Sequence, residues 1–600
     1  MFFNPLDKFY KSIIGAVSTD KEITFRVKGD FNSVVFLLKN DKNGVEKCFS
    51  MQKISDYFEL SLCLSVGLYF YCFSVDDGRF IGKDDDYRGE ITYNPEYFQL
   101  TVFDLNYVTP TWLPGGVIYQ IFPDRFNRGI SEKKVPNDKY LHEKWGELPV
   151  FEPNEHGQVV NNDFFGGDLQ GIIDKLDYLK DLGVTVIYLN PIFKAYSNHR
   201  YDTGDYMSID PLLGTISDFE RLINLANEKG IKIVLDGVFN HTGDDSLYFN
   251  KYGKYDSIGA YQSKDSKYFG WYNFINYPDK YDAWWGISVL PAVNESNEGF
   301  LDFITGKDGV LEYYTKLGIG GWRLDVVDEL PATFVKRIRK AVKGINPEAV
   351  IIGEVWEDAS NKISYGVRRE YFQGKELDSV MNYPLKNAIL SYVTTGDEKQ
   401  LVSVIKTQID HYPSKVLHSL MNILATHDTV RLLTAVSGND VTGKSKAEMS
   451  VAKIDPNKLD DAILKLKIAV LLQFTLCGVP SIYYGDEVGM EGYVDPLNRR
   501  CFPWGNENLE IANWYKFLAR IRKEYDAFTD GEFNEIYSSD GVFIYSRNGK
   551  TSQVLIGVNL GEKDCILAYN DKLINIVDKS IYNNKILLKP NDFGIFIKKD

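Results

Sequence analysis

Three acidic side chains each end, or directly follow, a short apolar segment of this 600-residue chain. They are Asp325 in Gly-Trp-Arg-Leu-Asp, Glu354 in Ile-Ile-Gly-Glu-Val-Trp and Asp428 in Leu-Ala-Thr-His-Asp. A lone acid in such a place is more often a helix cap or a solvated loop residue. Three in order, each after a run of Val, Ile or Leu, instead predict a carboxylate cluster suited to cleaving glycosidic bonds.

The residues next to two of these acids indicate how their roles divide. Arg323 and Asp325 are two apart on a strand and so share a face, where the guanidinium favours the ionised carboxylate of a nucleophile. Glu354 and Trp356 share a face in the same way, and an indole beside a carboxyl limits its hydration and raises its pKa, as a general acid and base requires. The pattern predicts double displacement, with attack by Asp325 and proton transfer by Glu354.

Polar and aromatic residues follow other predicted strands. Asp428 is expected to accept hydrogen bonds from sugar hydroxyls that tighten in the transition state. His199, His241 and His427 all fall at predicted strand ends and favour contact with sugar hydroxyls, although each alone is more often a structural hydrogen-bonding residue. Tyr201 is expected either to stack on the sugar at the cleavage point or to pack at the rim.

The elements that must position these residues follow from the rhythm of the chain. Buried strands alternate with amphipathic helices over 111–527, and eight such units predict a (β/α)8 TIM barrel with its site at the carboxyl ends of the strands. The segment 242–300 is too long for one connection and predicts a small inserted domain after the third strand. Short strands predict an N-terminal β-sandwich over 1–110 and a C-terminal β-sandwich over 528–600.

Composition excludes some partners. The formal net charge is −15, and basic residues are not concentrated in any part of the chain. Both observations argue against nucleic acid as a partner. No apolar run is long enough to cross a membrane, and the N-terminal residues lack the pattern of a signal peptide. Six cysteines are scattered without metal-ligand spacing, so a cytoplasmic location is expected.

Four segments together resemble the signature regions of the α-amylase superfamily of glycoside hydrolases. They are Asp236-Gly-Val-Phe-Asn-His, Gly321-Trp-Arg-Leu-Asp, Gly353-Glu-Val-Trp and Thr426-His-Asp, in the family's order. The resemblance covers roughly 110–525 and implies an α-retaining enzyme on α-glucans. It implies that the acids at 325, 354 and 428 are nucleophile, acid/base and transition-state stabiliser.

Further segments resemble the neopullulanase, cyclomaltodextrinase and maltogenic amylase group, which implies cleavage of α-1,4 and in some members α-1,6 bonds, and a starch-binding-like N-terminal domain. The substrate-binding residues expected from these motifs are Tyr201, His199, Asp236, His241, Arg323, Trp356, His427, Arg431, Asp495 and Arg499. A glucanotransferase, an α-1,6-glucosidase and a non-catalytic α-glucan-binding scaffold remain alternatives. Asp328 stands where many relatives carry Asn, which leaves bond preference open.

Calcium and a second copy of the chain are further implications of the resemblance. Relatives bind calcium after the first strand, but this chain has Arg128 and Ile130 where oxygen ligands are expected, and arginine cannot coordinate a hard cation. No required cofactor is therefore expected. Asn240, Asp163 and Asp168 are the candidate metal ligands, with plain loop roles as the alternative. The N-terminal domain is expected to support a homodimer.

Overall fold

The computed structural model describes residues 1–130, 132–155, 157 and 159–598. Two sheets share an aromatic core at the N-terminal end of the chain. A sheet of seven described strands packs against a sheet of three, with Phe25 and Phe58 on one side facing Phe36 and Tyr71 on the other. The strands of both sheets are Val17–Ser18, Ile23–Lys28, Val34–Asn40, Glu46–Ser50, Gln52–Ile54, Tyr57–Leu62, Gly67–Val75, Arg79–Lys83, Gly89–Thr92 and Phe98–Phe103. This arrangement confirms the predicted N-terminal sandwich.

Eight parallel strands in the described chain form the central sheet. In chain order, the first to eighth barrel strands are Ile118–Ile121, Val186–Leu189, Lys232–Gly237, Gly321–Leu324, Val350–Gly353, Ser379–Val380, Met421–Ile423 and Val479–Tyr483. The first strand pairs with both the second and the eighth, and a parallel bridge from Met381 to Met421 closes the ring between the sixth and seventh. The predicted (β/α)8 barrel is confirmed.

Alternation along these strands divides the barrel into an interior and an outer layer. Val186, Val234 and Ile352 belong to an inner apolar cluster, whereas Leu235 and Ile351 belong to the large core beneath the helices. Because successive side chains on a strand point to opposite faces, the inward series continues past each strand's end into polar residues. The same alternation that fills the barrel therefore aims side chains into its mouth.

Helices cover the outside of the barrel. The described α-helices are Pro123–Phe126, Leu169–Asp174, Leu176–Asp181, Ile216–Glu228, Glu298–Thr305, Val310–Lys316, Ala332–Ile345, Tyr383–Thr395, Lys399–His411, Ser414–Leu417, Leu432–Val436, Lys446–Val451, Leu459–Thr475, Leu509–Glu524 and Ala527–Asp530. Residues 169–181 form two helices that meet at Lys175, and no helix among the described residues is long and apolar enough to cross a membrane.

Short elements overhang the mouth of the barrel. Paired strands in this part of the chain are Tyr140–Leu141 with Asp163–Phe164, Phe193–Ala195 with Thr203–Ile209, Phe274–Asn276 with Lys280–Tyr281, and Ile363–Ser364 with Val367–Arg368. The third pair lies in the long segment between the third and fourth barrel strands, where the inserted domain is predicted.

Up to residue 598, the C-terminal part forms a six-stranded antiparallel sheet. Its strands are Glu532–Ser539, Val542–Asn548, Gln553–Asn559, Cys565–Asn575, Ile581–Leu588 and Asp592–Lys598. Phe543 and Tyr545 pack on the barrel's outer core, while Val542 and Ile544 face a separate small core. Burial of both faces explains why the central strands of this sheet are almost continuously apolar.

Candidate active site

One guanidinium holds three carboxylates at the carboxyl ends of the third, fourth and fifth barrel strands. Arg323 Nη1 lies 2.8 Å from Asp236 Oδ1 and 2.6 Å from Asp325 Oδ1, and Nη2 lies 2.8 Å from Glu354 Oε2. All four side chains are buried. The two acids expected to share the chemistry therefore face the same cavity.

The electrostatics at Asp325 differ from the sequence prediction. Burial raises the pKa of Asp325 well above its ordinary value, the Arg323 guanidinium lowers it, and the charges of Glu354 and Asp236 raise it again. The prediction considered the guanidinium alone, whereas burial is the larger effect and three acids divide one cation. Burial likewise raises the pKa of Asp236, against the pull of the same arginine.

Glu354 is fixed by two N–H donors. The backbone N–H of Val326 donates to Oε2 at 2.9 Å, and the Trp356 indole donates to Oε1 at 3.1 Å. Val326 has a φ of 38°, an unusual conformation for a β-branched residue, and holds its N–H toward the carboxylate. The sequence argument relied on an apolar indole beside the carboxyl, but the contact is a hydrogen bond. The Trp356 ring itself is fixed by stacking on Tyr383 at 3.8 Å.

Tyr201 and His427 form a second polar group beside the acids. The Tyr201 hydroxyl lies 2.8 Å from Asp236 Oδ2 and 2.6 Å from His427 Nε2, and the two rings stack 5.2 Å apart. Burial lowers the pKa of His427 well below its usual value, so the imidazole is neutral. Gln120 Nε2 donates to Nδ1 at 2.9 Å, which places the proton on Nε2, toward Tyr201 and Asp428.

Asp428 is more open than Asp236, Asp325 and Glu354, with 34% of its side chain exposed. Arg499 Nη2 and His427 Nε2 lie 3.2 and 3.1 Å from its carboxylate, and Asp495 binds the same guanidinium at 2.8 Å. Burial raises the pKa of Asp428 and Arg499 lowers it. The exposed oxygens leave room for hydroxyl groups of a bound ligand.

The two other predicted histidines also border this cavity. His199 Nδ1 lies 3.1 Å from the Tyr201 backbone N–H, and His241 stacks on Trp284 at 5.1 Å. Burial lowers the pKa of both imidazoles to about 3, so both are neutral at ordinary pH. A neutral imidazole both donates and accepts hydrogen bonds, as contact with sugar hydroxyls requires.

Arg431 does not join the cleft, contrary to the sequence prediction. It is fully buried, its Nη1 donates to Asp486 Oδ1 at 3.0 Å and to the Tyr484 carbonyl at 2.7 Å, and its guanidinium lies against the rings of Tyr483 and Tyr484. The reason is a partner 55 residues further along the chain, which no local pattern reveals. Arg431 supports the loops after the seventh and eighth strands.

The candidate calcium site does not fit the residues that are present. Asp168 Oδ1 accepts from the backbone N–H groups of Gly129 and Gly171 at 3.0 and 2.6 Å. Its Oδ2 accepts from the Ile130 N–H at 3.0 Å and from Lys133 Nζ at 2.6 Å. Four donors, one of them an ammonium, take the lone pairs that a hard cation needs. This carboxylate is therefore a helix cap and loop anchor.

Of the other two candidate ligands, Asp163 is engaged in the same way, whereas Asn240 is engaged through its amide nitrogen. Asp163 accepts from Asn198, from the Val150 N–H and from His142, and Asn240 donates to Glu295 at 3.2 Å. No three His, Cys, Asp or Glu side chains in the described ranges are grouped so as to hold a metal ion.

Some contributors to the site were not predicted. Tyr188 donates to Asp236 Oδ2 at 2.6 Å, and Gln120 orients His427. Both are polar groups at inward positions of apolar strands, and that pattern is the signal that finds them. Val326 has no such signal, because its role depends on a backbone angle.

Comparison with known proteins agrees with this architecture. The α-amylase catalytic domain matches residues 120–526. The chain is 36% identical to an amylopullulanase of Thermoanaerobacter thermohydrosulfuricus over 91% of its own length and 40% of the relative's. It is 34% identical to a cyclomaltodextrinase of Thermoanaerobacter pseudethanolicus, covering 90% and 88% of the two chains.

A solved structure extends the likeness to the whole chain. The type III pullulan hydrolase from Thermococcus kodakarensis superposes with a TM-score of 0.71 at 25% identity, covering 100% of both chains. The protein described here belongs to the α-amylase family. It spans less than half the length of the amylopullulanases that it matches.

Proposed function

We propose that this protein is an α-retaining glycoside hydrolase that opens α-1,4-glucosidic bonds, and also α-1,6 bonds, in maltodextrins, pullulan, cyclodextrins or starch. One observation carries the proposal: Asp325 and Glu354 contact the same guanidinium at the carboxyl rim of the barrel. Paired carboxyls in one cavity are the equipment of a glycosidase. Membership of the α-amylase family supports the choice of α-glucans.

The reaction follows from these positions. An Asp325 oxygen attacks the anomeric carbon while the Glu354 carboxyl gives its proton to the leaving glycosidic oxygen. Glu354, now a carboxylate, takes a proton from water, which displaces Asp325 and releases the sugar with its anomeric configuration retained. Arg323 binds the attacking carboxylate and lowers its pKa against the effect of burial, and the N–H groups of Val326 and Trp356 hold the acid in place.

We assign the surrounding polar groups to the sugar at the cleavage point. The open carboxylate of Asp428 accepts hydrogen bonds from ring hydroxyls, which tighten as the ring flattens toward an oxocarbenium ion. The ring of Tyr201 is offered for stacking, because its hydroxyl is fixed by Asp236 and His427. In this assignment His199, His241 and the pair of Asp495 with Arg499 complete the binding site.

Product analysis tests the proposal. Pullulan, β-cyclodextrin and soluble starch are incubated with the enzyme and with a D325N variant of confirmed fold. Release of panose from pullulan indicates α-1,4 cleavage, and release of maltotriose indicates α-1,6 cleavage. The absence of free sugars from all three substrates, or equal activity of the variant, would contradict the proposal.

A second candidate is a glucanotransferase or α-1,6-glucosidase with the same site. The relatives named amylopullulanase favour action on pullulan in particular. The same product analysis separates these candidates, because a transferase redistributes chain lengths while a hydrolase releases sugars of fixed size. A non-catalytic scaffold is disfavoured by the complete set of acids.

We also propose a cytoplasmic location and a homodimer formed through the N-terminal domain. The six cysteines, unpaired throughout the described chain, are typical of a reducing compartment. The dimer depends on the family resemblance, and light scattering of the purified protein tests it. A monomer at all concentrations would contradict it.

A further inference from the structure

A hairpin beyond the Glu354 loop presents an exposed tyrosine. Its strands, Ile363–Ser364 and Val367–Arg368, are joined by Tyr365 and Gly366, whose φ angles of 49° and 76° are those of a tight type I′ turn. The left-handed region is uncommon for a bulky residue such as tyrosine. The ring is nevertheless 75% exposed, so no burial of the side chain repays this conformation.

The tip of this hairpin reaches a carboxylate at the edge of the cleft. Tyr365 lies beside Glu329, four residues after Asp325, and burial and then the charge of that carboxylate raise the pKa of its phenol. The indoles of Trp284 and Trp285 donate to the same carboxylate at 3.0 and 2.9 Å. Trp285 is 79% exposed. Two aromatic faces from separate loops thus lie beside the Glu329 carboxylate and are left uncovered.

Contacts on two sides hold the hairpin in place. On the barrel side, the Ser364 hydroxyl donates to the Asp328 carbonyl at 2.7 Å, and the Tyr371 hydroxyl donates to the Asp328 carboxylate at 2.6 Å. On the other side, the Arg368 guanidinium donates through Nε and Nη2 to both oxygens of Asp41, at 2.8 and 3.0 Å. Asp41 follows a strand of the N-terminal domain, so that domain fixes one side of the hairpin.

Resting on the proposed function, we propose that Tyr365 is a specificity-determining residue that stacks on a glucosyl unit of the bound α-glucan outside the cleavage point, with Asp41 as its positioning residue. The C–H face of a glucosyl ring is apolar and packs on an exposed aromatic ring, while its hydroxyls find an acceptor in the Glu329 carboxylate between the rings. A contact outside the cleavage point acts on long chains and leaves short ones unchanged.

Kinetics on two substrates test this inference. We expect Y365A to lower kcat/KM for maltoheptaose by about 3- to 10-fold, mainly through KM, as for the loss of one aromatic contact. Activity on maltotriose stays the same, and Y365F, which keeps the ring, stays close to the wild type. Tyr93, 69% exposed on the N-terminal domain, gives the matched control Y93A, which should leave the activity on both substrates unchanged.

The positioning role has its own readout. D41A is expected to lower maltoheptaose activity in the same direction, and the double variant D41A/Y365A to lose no more than Y365A, because the two residues act through one contact. Equal effects of Y365A on both substrates, or no effect on maltoheptaose, would overturn the inference. A wild-type enzyme inactive on both maltoheptaose and maltotriose would instead contradict the proposed function. Additive losses in the double variant would overturn the role of Asp41.

Discussion

The guanidinium of Arg323 is shared by three carboxylates, and this sharing sets the chemistry at the scale of single residues. Asp236, Asp325 and Glu354 all bind it within 2.8 Å. Burial favours the neutral forms of the first two acids, while the cation favours their charged forms. The fraction of Asp325 that is ionised, and so able to attack, therefore falls if this one cation is lost.

Replacing that side chain should shift the pH profile of the enzyme. In R323M the pKa of Asp325 loses the effect that lowers it, so a larger fraction of the carboxyl is protonated at a given pH. We expect the acid limb of the kcat/KM profile to move to higher pH, and kcat/KM at neutral pH to fall by at least about 100-fold. R323K, which keeps the charge, should move the limb less. An unshifted limb in a folded R323M variant would contradict this electrostatic account.

At the scale of elements, a lysine pairs with the candidate calcium ligand Asp168. The loop after the first barrel strand is held to the helix that begins at Leu169 by the Asp168 carboxylate, and Lys133 supplies the positive charge there. No more than 6% of either side chain is exposed to solvent. The negative charge of Asp168 is therefore balanced by Lys133 of the same chain.

From this arrangement we predict that thermal stability does not depend on calcium. We expect neither chelator nor added calcium to move the melting temperature, and K133M to lower stability by about 3 kcal/mol, because it removes one partner of a buried pair. The neighbouring exposed Lys134 provides the control K134M, which should change little. Differential scanning fluorimetry measures all four conditions. A fall in melting temperature with chelator would show that a metal contributes after all.

Sequence patterns predicted most of the barrel and its carboxylates, since both depend on period-two alternation within single strands. Asp236, Arg323 and Asp325 lie where alternation places them, facing the mouth. What alternation could not reveal are pairings between distant segments, such as Arg431 with Asp486. The same limit applies to the candidate calcium site. The sequence shows Arg128 and Ile130 where oxygen ligands would be needed, but it does not show that the ammonium of Lys133 binds Asp168.

At the scale of the whole molecule, a buried ion pair joins the N-terminal domain to the barrel. Lys11 Nζ lies 2.5 Å from Asp410 Oδ1, and both side chains are fully buried. Nearby, the Tyr87 hydroxyl binds His411, whose other ring nitrogen lies 3.0 Å from Asp358 in the loop after Glu354. The N-terminal domain is thereby tied to the loop that carries the proposed acid.

Replacing one partner of this pair should lower the free energy of unfolding more than replacing both. We expect K11M to lose about 3–5 kcal/mol of unfolding free energy, since Asp410 is left buried without its cation, and K11M/D410L to recover most of that loss. The exposed pair of Lys8 with Glu532 supplies the control K8M, with an expected change within about 0.5 kcal/mol. Urea unfolding gives the values. A double variant as unstable as K11M would argue against an unpaired charge as the cause.

The central claim is that Asp325 becomes covalently bonded to the sugar while Glu354 moves the proton. An E354Q variant given α-maltosyl fluoride tests this directly, because fluoride leaves without an acid while the next step lacks its base. Peptide mass spectrometry should then find one maltosyl group on the peptide that contains Asp325. Label on another residue, or rapid release of fluoride without any labelled peptide, would contradict the account.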